Sequence, residues 1–185
     1  MSELKIRSLR ETFEENYKAV QIPARNRKGF RIEYVYIGKW FCWKEEPSVV
    51  QKVKTWTAAV LFASVLLYLI AGLCHVPVNW SRAVSLTGLL SLAPLLFLVI
   101  GEIQFLVSKD KMTEQTCREI RTKLLIAPAF HGGLLLLCAA AGMYAAIRSA
   151  GGRDQVMVCL CYLISGLLSL SIIFMFRRLH PKELS

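Results

Sequence analysis

The chain has 185 residues, enough for one ordinary soluble domain, but 55% are hydrophobic and gather in long uncharged runs, more than a globular core of that size uses. The net charge of +10, from 23 Lys and Arg against 13 Asp and Glu, would raise nucleic acid as a partner in a soluble protein. No RNA-binding or helix-turn-helix signature accompanies it, so nucleic acid is set aside, and the positive-inside rule with attraction to anionic lipid headgroups accounts for the excess.

Residues 1–54 read as a cytoplasmic N-terminal region. Its polar character argues against a cleaved signal peptide, whose apolar stretch lies within about the first thirty residues. Ile6, Leu9, Phe13, Tyr17 and Val20 recur at spacings of three and four, with Arg10, Glu14, Glu15 and Lys18 between them, which predicts an amphipathic helix over 4–20. Pro23, Asn26 and Gly29 then mark a loop.

Residues 30–44 alternate Phe30, Ile32, Tyr34 and Tyr36 with Arg31, Glu33, Val35 and Ile37; Gly38-Lys39 suits a turn before Trp40, Phe41 and Trp43. This predicts a short β-hairpin. Its aromatics Tyr34, Tyr36, Trp40, Phe41 and Trp43 suit either the headgroup region or a platform for a ligand or partner. Pro47 fits the first turn of a helix, so 47–54 reads as a helical stub running into the first span.

Residues 55–176 hold four predicted spans, at about 56–73, 84–107, 124–147 and 156–176, each near the roughly 20 residues that cross a hydrocarbon core of about 30 Å. The fold class is therefore an all-α membrane protein, a four-transmembrane-helix bundle. Pro94 and Pro128 predict kinks in the second and third spans, and Thr113 before Glu114 and Gln115 resembles an N-cap that starts the third helix early. Residues 177–185 form the tail. Lys and Arg number twelve in the N-terminal segment, five in the second loop and three in the tail, against one and two in the other loops. That asymmetry predicts a multi-pass protein of the cell membrane with N-in/C-in topology.

Glu102 is the one formal charge inside the spans, and a carboxylate at mid-membrane costs roughly 2.5 to 3.5 kcal/mol on insertion scales. Counted from Lys109 and Lys123, Glu102 and His131 lie at similar depth, so the two are a candidate intramembrane polar pair able to hold or relay a proton. The other reading keeps Glu102 hydrated near the interface beside Gln104, with His131 a packing residue. Small residues recur four apart as Ala59 and Ala63, Ala141 and Ala145, and Cys161, Ser165 and Ser169, which favours close helix packing. No zinc-protease, nucleophile-elbow, phosphate-loop or dinucleotide-binding motif is present, and the lone His75 and His180 lack a second ligand at metal spacing. No cofactor is expected, and the six cysteines read as free thiols or packing residues.

The run Tyr34 to Trp43 before the first span, with Lys111-Met-Thr after the second, resembles small four-helix membrane proteins of Gram-positive anaerobic bacteria, a resemblance that brings no activity, cofactor or site residue. Four short spans with a membrane Glu are also similar to small multidrug transporters, which lack the long N-terminal region and carry their carboxylate in the first helix. The leading expectation is a non-enzymatic accessory or interaction subunit, binding a protein partner, itself or the membrane surface through its cytoplasmic face. The alternative is a small oligomeric transporter using Glu102. A polar cavity between the second and third helices that reaches Glu102 points to transport; an exposed aromatic cytoplasmic face points to a partner.

Overall fold

The computed structural model describes residues 15–23, 30–149 and 152–184. Four helices dominate it: α1 (Pro47–Leu73), α2 (Arg82–Val107), α3 (Glu114–Arg148) and α4 (Arg153–Phe176), each long and apolar enough to cross a membrane. Their starts follow local chemistry. Pro47 opens α1, which runs without a break through the expected stub. Ser81 accepts a hydrogen bond from the Val84 amide at 3.4 Å to cap α2, and Thr113 accepts one from the Thr116 amide at 3.2 Å to cap α3. A 3-10 turn, Pro77–Trp80, links α1 to α2 at the far end.

The bundle is apolar outside, and its mostly apolar interior also buries polar side chains. Phe62, Leu73, Leu86, Leu89, Phe97, Phe130, Ile147 and Phe174 are among the exposed large side chains, whereas Thr57, Ser64, Ser91, His131, Ser165 and Ser169 are fully buried. Contiguous apolar surface on that scale suits hydrocarbon as the solvent, and small or hydroxylated residues at the contacts suit helices that cannot use the hydrophobic effect to associate. Ser64 and Ser165 illustrate this: each hydroxyl donates to the other's backbone carbonyl, at 2.9 and 2.8 Å.

Helix α3 packs on α4 and on α2, and α1 packs on α4, while α1 and α2 touch only sparsely. Helices α3 and α4 approach closely at Gly132 and Gly166, where a methyl group placed on Gly132 would come within 2.8 Å of the Gly166 carbonyl oxygen. Of the expected small-residue contacts, Ser165 and Ser169 lie at helix interfaces, Ser169 donating to the Pro128 carbonyl at 3.3 Å.

Among the described residues, five strands form two small sheets. Strands β1 (Tyr17–Pro23) and β2 (Phe30–Tyr36) pair antiparallel, Tyr17 opposite Tyr36 and Pro23 opposite Phe30. Strand β3 (Trp40–Trp43) is the centre of a three-stranded sheet, flanked by β4 (Met112–Thr113), which leads into α3, and β5 (Pro181–Leu184), which follows α4. Two expectations are corrected here. Of the helix read over 4–20, residues 4–14 lie outside the described residues, Glu15 and Asn16 are helical, and Tyr17 to Val20 belong to a strand. The stretch from Tyr17 to Pro23 alternates as well as it repeats at helical spacing, and the complementary strand at Phe30 decides between the two. The hairpin predicted within 30–44 also has a different partner: Phe30–Tyr36 pairs with β1, and Trp40–Trp43 pairs with β4 and β5.

Candidate functional site: a polar core and an aromatic face

Polar side chains line the inside of the bundle from the sheet end to the far end. Nearest the sheet, Lys54 of α1 is buried and its ammonium donates to the carbonyls of Ser108 at 2.7 Å and Leu106 at 3.4 Å. Those carbonyls belong to the last turn of α2 and its cap, whose partial negative charge a cation stabilises. One turn further along α1, the Thr57 hydroxyl donates to Glu102 Oε1 at 2.8 Å. Glu102 is 3% exposed, and its Oε2 has no protein partner. Midway stand Ser64 and Ser165. Beyond them His131 Nδ1 contacts the Ser91 carbonyl at 3.0 Å, its ring meets Tyr68 edge-on at 5.9 Å, and its Nε2 has no protein partner. Tyr68 donates to the Gly88 carbonyl at 2.9 Å, which bridges the otherwise thin contact between α1 and α2. At the far end Tyr162 donates to Asn79 Oδ1 at 3.2 Å, and Asn79 in turn donates to the Ala71 and Cys74 carbonyls, both at 2.8 Å.

Glu102 and His131 therefore have separate partners rather than each other. Ser91, which meets His131, lies eleven residues before Glu102 on α2, about 16 Å at helical rise. Counting depth from Lys123 misplaced the register because Lys123 is not level with Lys109. A methyl group on Gly101 would come within 2.6 Å of Lys123 Cβ, so Lys123 stands directly across from Gly101, and His131 lies roughly two and a half to three turns deeper than Glu102. The Lys123 ammonium reaches back along α2 to Gln104 Oε1 at 2.8 Å. Hydration at the interface does not describe Glu102 either, given its burial. The sequence reading missed Thr57 as the partner of Glu102; a hydroxyl residue just inside the first span was the available signal.

A groove of about 590 Å³ lies between α2 and α3, walled by Pro94, Phe97, Ile126 and Phe130. Its lining is almost wholly apolar and does not include Glu102.

The five aromatics singled out in the sequence divide. Trp43 is buried at 8% exposure and closes the bundle, edge-on to Phe105 at 5.9 Å and Phe176 at 5.7 Å. Its place on an interface face is thus corrected: strand β3 points it down into the helices. Phe41 is half-buried against the core. Tyr36 joins the two sheets: it packs edge-on to Tyr17 at 5.3 Å and Trp40 at 5.1 Å, and its hydroxyl donates to the Lys39 carbonyl at 2.9 Å. Tyr34 and Trp40 are exposed. Because alternate residues of a strand share a face, Phe30, Ile32 and Tyr34 line one side of the β1–β2 hairpin, and all three are exposed.

The β5 strand is held by more than backbone bonds. Lys39 pairs with Glu183 at 2.9 Å, and Glu45 accepts from the His180 backbone amide at 3.0 Å and contacts its Nδ1 at 2.9 Å. The bond to Glu183, followed by its negative charge, raises the Lys39 ammonium above its ordinary value. Burial pushes the Glu45 carboxyl up, but the bonds from His180 outweigh it and hold Glu45 below the usual carboxylate range.

No protein-family model, curated protein or solved structure matches this chain.

Proposed function

We propose that this protein is a non-enzymatic accessory or interaction subunit of the cell membrane, with both termini cytoplasmic, and that it binds a protein partner through its β1–β2 hairpin. The supporting observation is the exposed apolar face of that hairpin, where Ile32 is 57% exposed beside Phe30 and Tyr34. A two-stranded hairpin is marginal alone in water, and open strand edges accept a further strand. The face stands at the end of the bundle that carries most of the positive charge, which supports a cytoplasmic position for it. The alternative of a small oligomeric transporter draws on buried Glu102, but the apolar groove between α2 and α3 bypasses that residue.

The test is complex size after extraction in mild detergent. The wild-type chain is expected to migrate with a stoichiometric companion, or as a defined multiple of itself, and Ile32→Glu is expected to dissociate it with the melting temperature of the bundle unchanged. A wild-type chain that migrates alone, or a complex indifferent to the substitution, overturns the proposal.

A further inference from the structure

The α2–α3 groove has the dimensions and charge distribution of a site for one lipid molecule. It is concave because small residues form its floor, Ala93 and Pro94 on α2 and Ala127 on α3, while Phe97 and Phe130 rise beside them. Along α3 its lining runs from Thr122 to Leu134, twelve residues or about 18 Å at helical rise. Half of a hydrocarbon core of about 30 Å is roughly 15 Å, so the groove matches one leaflet and one acyl chain. Its surface is almost wholly apolar, but a cation-bearing side chain stands at one end only. The deep end is closed by Leu90 and Leu134; the end towards the sheet holds Thr122 and Lys123.

Charge at that end favours an anion. Lys123 lies in the groove wall with its Cβ set against Gly101 and its ammonium divided between Gln104 at 2.8 Å and Glu119 at a long 3.6 Å. Arg118, exposed and four residues before Thr122, stands one turn beyond the groove on the same side of α3. Glu114 and Glu119 share this stretch with Arg118, Arg121 and Lys123, leaving a basic excess where a headgroup phosphate would lie. A carboxylate at 3.6 Å holds Lys123 weakly enough for a phosphate to compete.

We infer that the groove binds a single anionic phospholipid of the cytoplasmic leaflet, one acyl chain lying between Pro94 and Phe130 and the phosphate held by Lys123 and Arg118. The inference rests on the membrane reading above and on its placement of the sheet end in the cytoplasm. Its consequence is that α2 and α3, which meet closely at Gly101, are completed on their outer side by lipid rather than by protein.

Native mass spectrometry of the full chain, released from micelles containing equal phosphatidylglycerol and phosphatidylcholine of the same chain length, tests it. One phosphatidylglycerol is expected to persist on the protein, with a preference over phosphatidylcholine of about fivefold for each cation. Arg118→Gln with Lys123→Gln should abolish the preference, and Lys123→Arg should keep it. Ala93→Phe should displace either lipid; Ala93 is exposed, so the ring fills the groove without entering the core. An unchanged melting temperature excludes misfolding as the cause. Equal retention of the two lipids, meaning annular lipid only, overturns the inference, as does retention that survives Ala93→Phe. A chain recovered in the soluble fraction without detergent overturns instead the membrane reading on which it stands.

Discussion

Thr57 is what makes a carboxylate at position 102 tolerable. Its hydroxyl is buried and aimed at Glu102 Oε1, while also reaching the Val53 carbonyl of its own helix at 2.9 Å. Thr57→Val keeps the shape and removes the donor, leaving both carboxylate oxygens without a protein partner, so a loss of about 1–3 kcal/mol is expected. The double-substitution cycle sharpens this. Thr57→Val and Glu102→Gln should couple by about 0.5–3 kcal/mol because they are in contact, whereas Glu102→Gln and His131→Ala should add to within about 0.5 kcal/mol. Thermal unfolding in one detergent reads all of these. A large coupling between 102 and 131 would restore the pairing that equal depth suggested. What made that pair legible in the sequence was residue type: a Glu and a His inside apolar runs are conspicuous. What hid their true partners was register, which depends on where Gly101 lets α3 approach, and no spacing within a single helix reports that.

At the scale of elements, the strands were less readable than the helices for a physical reason. Helices α1 to α4 announce themselves through long apolar runs, a Pro at N1 of α1 and a Thr cap on α3. Strands β4 and β5 hold two and four residues, with no alternation of their own, and exist because β3 lies between them. Strand β5 is correspondingly the piece most open to displacement. Besides its backbone pairing with β3 it is anchored by side chains, chiefly Glu45 on His180. Because the folded Glu45 carboxyl titrates below its ordinary value of about 4.3, the stabilisation it gives is complete above that pH and is lost as pH falls through the folded value. The protection factors of the Lys182 and Glu183 amides, taken relative to intrinsic exchange at each pH, should therefore fall on acidification below about pH 4 while amides of α4 stay protected. Glu45→Gln should lower that protection already at neutral pH. Protection factors that do not change across this range would mean that the backbone pairing with β3 suffices to hold the tail.

For the whole molecule, the three-stranded sheet is a topological statement. It joins the segment before α1, the connection between α2 and α3 and the segment after α4, so all three must lie on one side of any membrane the helices cross. Four spans satisfy that condition, and an odd number would not. The sheet leaves open which side, and there charge is the deciding physics. The joined segments carry nearly all the Lys and Arg, while Arg82, Arg148 and Arg153 stand at the opposite end, and translocating the richer set is disfavoured. The expected result is concrete. In a background with Cys42, Cys74 and Cys161 replaced by Ser, which removes the partly exposed native thiols, Arg82→Cys or Arg153→Cys should react with a membrane-impermeant thiol reagent on intact cells. Lys109→Cys and Lys182→Cys should react only after permeabilisation. Reaction at 109 and 182 from outside would invert the protein, and the exposed hairpin would then face partners on the opposite side. Reaction at 109 but not 182 would be a different failure, because it would separate two segments that β3 holds in one sheet. The pairing of β3 with both Met112–Thr113 and Pro181–Leu184 makes that outcome incompatible with the fold itself, so the two labels must move together whichever way the chain inserts.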